Sequence, residues 1–133
     1  MDNTCFWYLA SPYSKYIGGI GAAFRIAGEN AAHLVRAGVA VFSPIVHSHI
    51  IAIRGAIDPF DHSIWMPLDA PLMAAARGLI VLQADGWDES RGVAIEIETF
   101  KAAHKPVFYM LPGPVSELLA DEIRGCLAVQ VTA

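Results

Sequence analysis

Five short apolar runs without a single charge constrain this chain more than any other feature. They are CFWYLA at 5–10, VAVF at 39–42, LIVL at 79–82, VFYM at 107–110 and LAVQV at 127–131. An unbroken apolar run, unlike an alternating one, marks a strand buried on both faces, as in a parallel sheet. Helical segments are expected between the runs, near 20–37, 63–77, 91–104 and 114–124, with another short one between Pro44 and Gly55. Gly38, Gly78 and Pro106 punctuate the returns to strand. No repeat, low-complexity tract or linker interrupts the alternation, so residues 1–133 are expected to form one domain.

Strands alternating with helices predict an α/β fold, doubly wound, a three-layer sandwich of the flavodoxin-like or Rossmann-like kind. About five parallel strands are expected, in the order 2-1-3-4-5. Ligands in such folds sit beyond the carboxyl ends of the strands, where strand order reverses. Neither GxGxxG nor GxxxxGK[ST] occurs in the chain, so the dinucleotide and P-loop fingerprints are missing.

Composition narrows the partners. Hydrophobic residues make up 55% of the chain and charged residues 17%, against about a quarter charged in ordinary globular domains. No run approaches the roughly 18 apolar residues of a membrane span. The apolar surplus therefore points to copies of the same chain, a homodimer or higher homo-oligomer. The net charge of −4, without a basic stripe, argues against a nucleic-acid polymer. No positive region precedes the first apolar run, so a signal peptide is not expected and a cytoplasmic setting is. Cys5 and Cys126 are expected to be buried free thiols.

The strand ends carry the candidate chemistry. After the first run, Ser11 and Ser14 lead to Gly18 and Gly19, which permit close backbone approach. Such a turn either holds a phosphate on backbone N–H groups at a helix start or is an ordinary capped turn. After the second run, His47 and His49 form either a metal pair lacking a clear third ligand or, more simply, pocket-lining histidines. The next loop supplies Asp58, Asp61, His62, Trp65 and Asp69. Trp65 either stacks on a base or fills a subunit contact. Asp69 either caps a helix or points into the crevice.

The segment GWDESRGVAIEIETF, residues 86–100, is the most pointed. In a helix from about Arg91 to His104, Val93, Ile97, Phe100 and Ala103 form one apolar stripe. Glu96 falls inside that stripe, whereas Glu98 turns away beside Lys101. A carboxylate on an inward face is costly without partners, but donors and the helix dipole can keep it ionised. An ionised, partly dehydrated, immobilised carboxylate is what a nucleophile at a sugar carbon requires. The bland alternative is a glutamate in a salt bridge at the helix start.

YLASPY at 8–13, Asp69 ahead of PLMAAARGLIVL, and SRGVAIE at 90–96, in this order and spacing, resemble the nucleoside 2-deoxyribosyltransferase-like superfamily. The likeness runs over roughly residues 6 to 110, nearest to a bacterial and phage branch without assigned function. It implies cleavage or transfer at the N-glycosidic bond of a (deoxy)nucleoside or its 5′-monophosphate, without metal or organic cofactor. Glu96 matches the nucleophile that attacks C1′, Tyr8 the tyrosine that orients it, and Asp69 an aspartate that helps protonate the departing base. Ser90 and the loop from Ser11 to Gly19 match groups that hold a 5′-phosphate or 5′-hydroxyl. Gly92 lets substrate approach the backbone, and His47, Trp65 and Trp87 complete the candidate substrate contacts. Trp87 and the acidic pair Asp88–Glu89 depart from the family pattern. A non-catalytic module binding a nucleotide or an ADP-ribose-like ligand is the alternative.

Overall fold

Alternate residues of the two central strands go to opposite faces of one parallel sheet, and helices cover both. The computed structural model describes residues 5–132. In chain order its elements are β1 (Trp7–Ala10), α1 (Ile20–Arg36), β2 (Val41–Phe42), α2 (Pro44–Gly55) and α3 (His62–Ala75). These are followed by β3 (Gly78–Leu82), α4 (Arg91–Ala102), β4 (Val107–Met110) and α5 (Glu117–Thr132), with a 3-10 turn at Trp87–Glu89. Among the described residues the sheet has four strands, all parallel, in the order β2-β1-β3-β4.

The period of two along a strand assigns the faces. Trp7 and Leu9 of β1 join Ile80 and Leu82 of β3 in one core cluster, with Leu34 of α1 and Ile123 of α5. Tyr8 and Ala10 join Leu79 and Val81 in the other, with Met73 of α3 and Val93 and Phe100 of α4. Every residue of β1 and β3 is buried, as their unbroken apolar runs require. The architecture is consistent with a doubly wound fold. Where β1 and β3 meet, Trp7 lies opposite Gly78. A Cβ on Gly78 would come within 2.4 Å of the Trp7 ring and 2.7 Å of the Pro106 carbonyl, so only glycine allows that approach.

The expected fifth strand is a correction. Residues 127–131 continue α5 instead. The Ser116 hydroxyl accepts from Leu119 N at 3.1 Å at the start of that helix, and Gly125 lies inside it. A lone helical glycine costs only about 1 kcal/mol against alanine. β4 is left as an edge strand with partly exposed residues. The second strand also starts later than its apolar run, at Val41, although Val39 is buried. Both cysteines are free and half-buried. No helix among the described residues is long and apolar enough to cross a membrane.

One cation ties the two helices of the second face together. Lys105 Nζ donates to three carbonyls at the end of α3, Met73 (3.1 Å), Ala74 (2.6 Å) and Ala76 (2.7 Å). It also lies 5.6 Å from the centre of the Phe100 ring of α4. Those carbonyls have no helical partners and carry the negative end of the helix dipole. We expect Lys105→Met to lower stability by about 1–2 kcal/mol, read as a shift of the urea midpoint. Lys101→Met on the exposed face of α4 serves as the control, expected within about 0.5 kcal/mol. Equal midpoints for the two variants would show that the triple cap contributes nothing net.

Candidate functional site

A cavity of about 230 Å³ opens beyond the carboxyl ends of β1, β2 and β3. Tyr8 and Ser11 reach it from β1 and the loop after it, Pro44 and His49 from α2, Trp65 and Asp69 from α3, and Ser90 and Glu96 from α4. Its wall mixes two carboxyl groups and several hydroxyls with aromatic, proline and methionine side chains. That mixture, a mostly apolar wall with a few convergent polar groups, is the ordinary make-up of a small-ligand site.

Four buried polar atoms in this wall have no hydrogen-bond partner: Tyr8 Oη, Ser11 Oγ, Ser48 Oγ and Asp69 Oδ1. An unsatisfied buried polar group costs roughly 1–3 kcal/mol, so several in one cavity are either met by water or held ready for a ligand. Only two other such atoms occur among the described residues, Trp7 Nε1 and Arg77 Nε, and neither residue lines the cavity.

The helix carrying Glu96 is placed by the loop before it. Gly86 has φ 86°, and a Cβ there would come within 2.3 Å of the Lys15 carbonyl. The loop after β3 can therefore lie against the loop after β1 only with glycine at this position. Ser90 then caps α4, its hydroxyl accepting from Val93 N at 3.2 Å. The hydroxyl proton remains free to point into the cavity that Ser90 lines. Val93 and Phe100 are buried, Ile97 is half-buried, and Glu96 shares their side of the helix. Glu98 is exposed, as its position in the period requires, but so is Ala103, which lies past the last helical turn.

Glu96 makes no salt bridge among the described residues. The helix dipole does little to hold a charge on Glu96. The residue sits in the second turn of α4, and the dipole's influence fades beyond the first. Burial pushes its carboxyl up to about 8; Tyr8 offsets part of this as a hydrogen-bond donor, and the charge of Asp69 adds to it. The Tyr8 hydroxyl, fully buried, stops short of a complete hydrogen bond to Glu96 in the resting site. Burial first, then the two carboxylates, push Tyr8 far above the usual phenol range, so it stays a donor. Asp69 rises to about 6, mainly by burial, with His47 pulling the other way. The two carboxyl groups together thus hold one proton and one charge near pH 7, a property of the pair.

Of the residues singled out in the sequence, Tyr8, Ser11, Ser14, His49, His62, Trp65, Asp69, Ser90, Gly92 and Glu96 line one cavity. Asp69 does not cap a helix: Asp61 does, accepting from Ser63 N at 3.0 Å, and Asp69 lies mid-helix between Pro67 and Pro71. Trp65 is buried within the chain, its Nε1 donating to the Asp58 carbonyl at 2.9 Å, which leaves the ring face for the cavity. Gly18, Gly19, His47 and Trp87 do not line it. Gly19 starts α1 with φ 89°, and Gly18 is exposed beside it. Trp87 packs edge-on against Tyr109. The two histidines of α2 part ways: His47 is exposed against Phe42, while His49 is buried and bonded to Tyr13. Among the described residues no three of His, Cys, Asp and Glu gather around one point as metal ligands would. The sequence reading passed over Tyr13, Ser48, Phe60 and Arg91 as wall residues. Only Tyr13, in the same loop as Ser11 and Ser14, carried a signal.

A family model described as a domain of unknown function (DUF1937) matches residues 6–111, which takes in every strand and the whole cavity wall. No curated protein matches the chain.

Proposed function

The chain belongs to this DUF1937 family, and from its site we propose cleavage or transfer at the N-glycosidic bond of a (deoxy)nucleoside or its 5′-monophosphate. Glu96 is the nucleophile at C1′, Asp69 serves the departing base, Tyr8 positions Glu96, and Ser11 and Ser90 hold the sugar end. The observation that carries this reading is the meeting of Tyr8, Asp69, Ser90 and Glu96, from three separate elements, in one cavity. Displacing a base needs a carboxylate to attack and a proton for the leaving nitrogen. Near pH 7 the pair holds one of each, with the proton mainly on Glu96, so the reactive form is the tautomer in which that proton has passed to Asp69. The volume, below the roughly 300 Å³ at which ligand pockets usually begin, suits one nucleoside better than an ADP-ribose-sized ligand.

The test is to incubate the protein with ribo- and deoxynucleosides and their 5′-monophosphates and follow free base by chromatography. Release from at least one compound, lost in Glu96→Ala, is expected. Release that persists in Glu96→Ala would overturn the mechanism. One feature favours a second reading, a nucleotide-binding module without chemistry: burial pushes the Glu96 carboxyl up to about 8. That reading expects thermal stabilisation by the ligand with no base released on long incubation.

A further inference from the structure

The far wall of the cavity holds a histidine whose orientation is over-determined. The His49 ring stacks on Phe24, centroids 4.6 Å apart and planes 25° apart, and meets Tyr13 edge-on at 5.7 Å. Tyr13 Oη lies 2.6 Å from His49 Nδ1. A phenol has one proton to place, and no other partner for the Tyr13 hydroxyl is present among the described residues. If Tyr13 donates to Nδ1, its proton is used. If Nδ1–H donated to Tyr13 instead, the phenolic proton would be left over in a half-buried place, at the usual cost of an unmade bond. Donation by Tyr13 is therefore the favoured arrangement, and with it a neutral imidazole is the Nε2–H tautomer. His49 lines the cavity, and among the described residues Nε2 has no partner.

We infer that His49 is a specificity-determining donor: its Nε2–H, set by Tyr13, bonds a ring-nitrogen acceptor on the edge of the bound heterocycle. This rests on the reading that the cavity takes a nucleoside or nucleotide. Three neighbours support it. Ser48 Oγ, next along α2, is buried, without a partner and in the same wall. Phe60, 5.9 Å from the Tyr13 ring, and Trp65 supply aromatic faces in that wall for a flat ring to lie against. The carboxyl pair comes from α3 and α4, so His49 and the reacting atoms are carried by different elements. An imidazole N–H placed against a ring nitrogen rejects an analogue that offers C–H there, because its proton is then left unpaired.

The experiment uses the full chain with Glu96→Gln, so that no ligand turns over. Calorimetry compares adenosine with its 1-, 3- and 7-deaza analogues, and cytidine with its 3-deaza analogue. At least one exchange of ring nitrogen for C–H is expected to weaken binding roughly three- to tenfold. The penalty should vanish in His49→Phe and persist in His49→Gln, whose amide keeps a donor near the Nε2 position. Nitrogen NMR of the imidazole in the otherwise unaltered protein should show Nε2–H as the main tautomer, and a mixture in Tyr13→Phe. Equal binding of all matched pairs, a penalty that survives His49→Phe, or an Nδ1–H main tautomer would each overturn the inference alone. Binding of no nucleoside at all would overturn the reading of the cavity and this inference with it.

Discussion

Replacing Glu96 with glutamine should make the protein more stable above neutral pH and leave it nearly unchanged in mild acid. The carboxyl titrates near 4.5 in an unfolded chain and at about 8 in the folded one. Between those values the folded state binds more protons, so stability falls as pH rises through the window and is level beyond it. At about 1.4 kcal/mol per pH unit, crossing the window costs on the order of 3–5 kcal/mol. That is a large part of the 5–15 kcal/mol that holds an ordinary domain together. Asp69, raised from 3.8 to about 6, acts in the same direction at lower pH. Glutamine matches the shape of the protonated carboxyl and cannot ionise. Urea midpoints at pH 5, 7 and 8.5 check this: the wild-type midpoint should decline across the series, and the Glu96→Gln midpoint should hold above pH 6. A wild-type midpoint that holds level between pH 5 and 8.5 would mean that the buried carboxyl keeps its ordinary acidity.

The same wall carries the price of such a site. Tyr8 Oη, Ser11 Oγ, Ser48 Oγ and Asp69 Oδ1 are left without partners, whereas only two other buried side-chain polar atoms among the described residues are. Functional sites are where proteins accept that kind of loss. Around it, the rigid parts compensate: two fully buried central strands, the Ser90 cap, and the Lys105 ammonium closing the end of the helix that bears Asp69.

What could be read from the sequence follows from which forces act locally. Four apolar runs became strands in the expected order, since a run buried on both faces leaves an unambiguous mark. The fifth failed because LAVQV has no period of its own, and an apolar segment of that length suits a helix as well as a strand. Glu96 was legible because its position in a 3.6-residue period is a local fact. Its protonation was not, since that depends on how completely β1, α3 and α4 close around it. The sequence left Asp69 between a helix cap and the crevice; α3 runs through Pro67 and Pro71, so Asp69 lies mid-helix and only packing turns it to the cavity. His49 could not be told from His47 by pattern. Only Phe24 of α1 and Tyr13 of the first loop, brought in by packing, separate a buried wall residue from an exposed one.

Activity against pH should be a bell with limbs near 6 and 8, and removing Asp69 should turn the bell into a single rising limb. If base displacement needs one carboxylate at C1′ and one proton for the base, the working form is the singly protonated pair. Below about 6 both carboxyls hold protons and no nucleophile remains; above about 8 neither does and no acid remains. Asp69→Asn deletes the acid, so what activity survives depends only on ionised Glu96 and rises with pH without falling again. Its midpoint should lie below about 8, because the Asp69 charge is one of the causes that raise Glu96. The loss at the optimum should be roughly 10²–10⁴-fold, the usual weight of a positioned acid. Glu96→Gln should lose at least as much at every pH, and the double variant should be no worse than Glu96→Gln alone, since the two groups act as a unit. A nitrophenyl glycoside of the same sugar separates the roles, because its leaving group departs without a proton. On it the Asp69→Asn defect should largely disappear while that of Glu96→Gln stays. A defect of equal size on both substrates in Asp69→Asn would remove Asp69 from proton delivery and leave it a residue that only shapes the cavity.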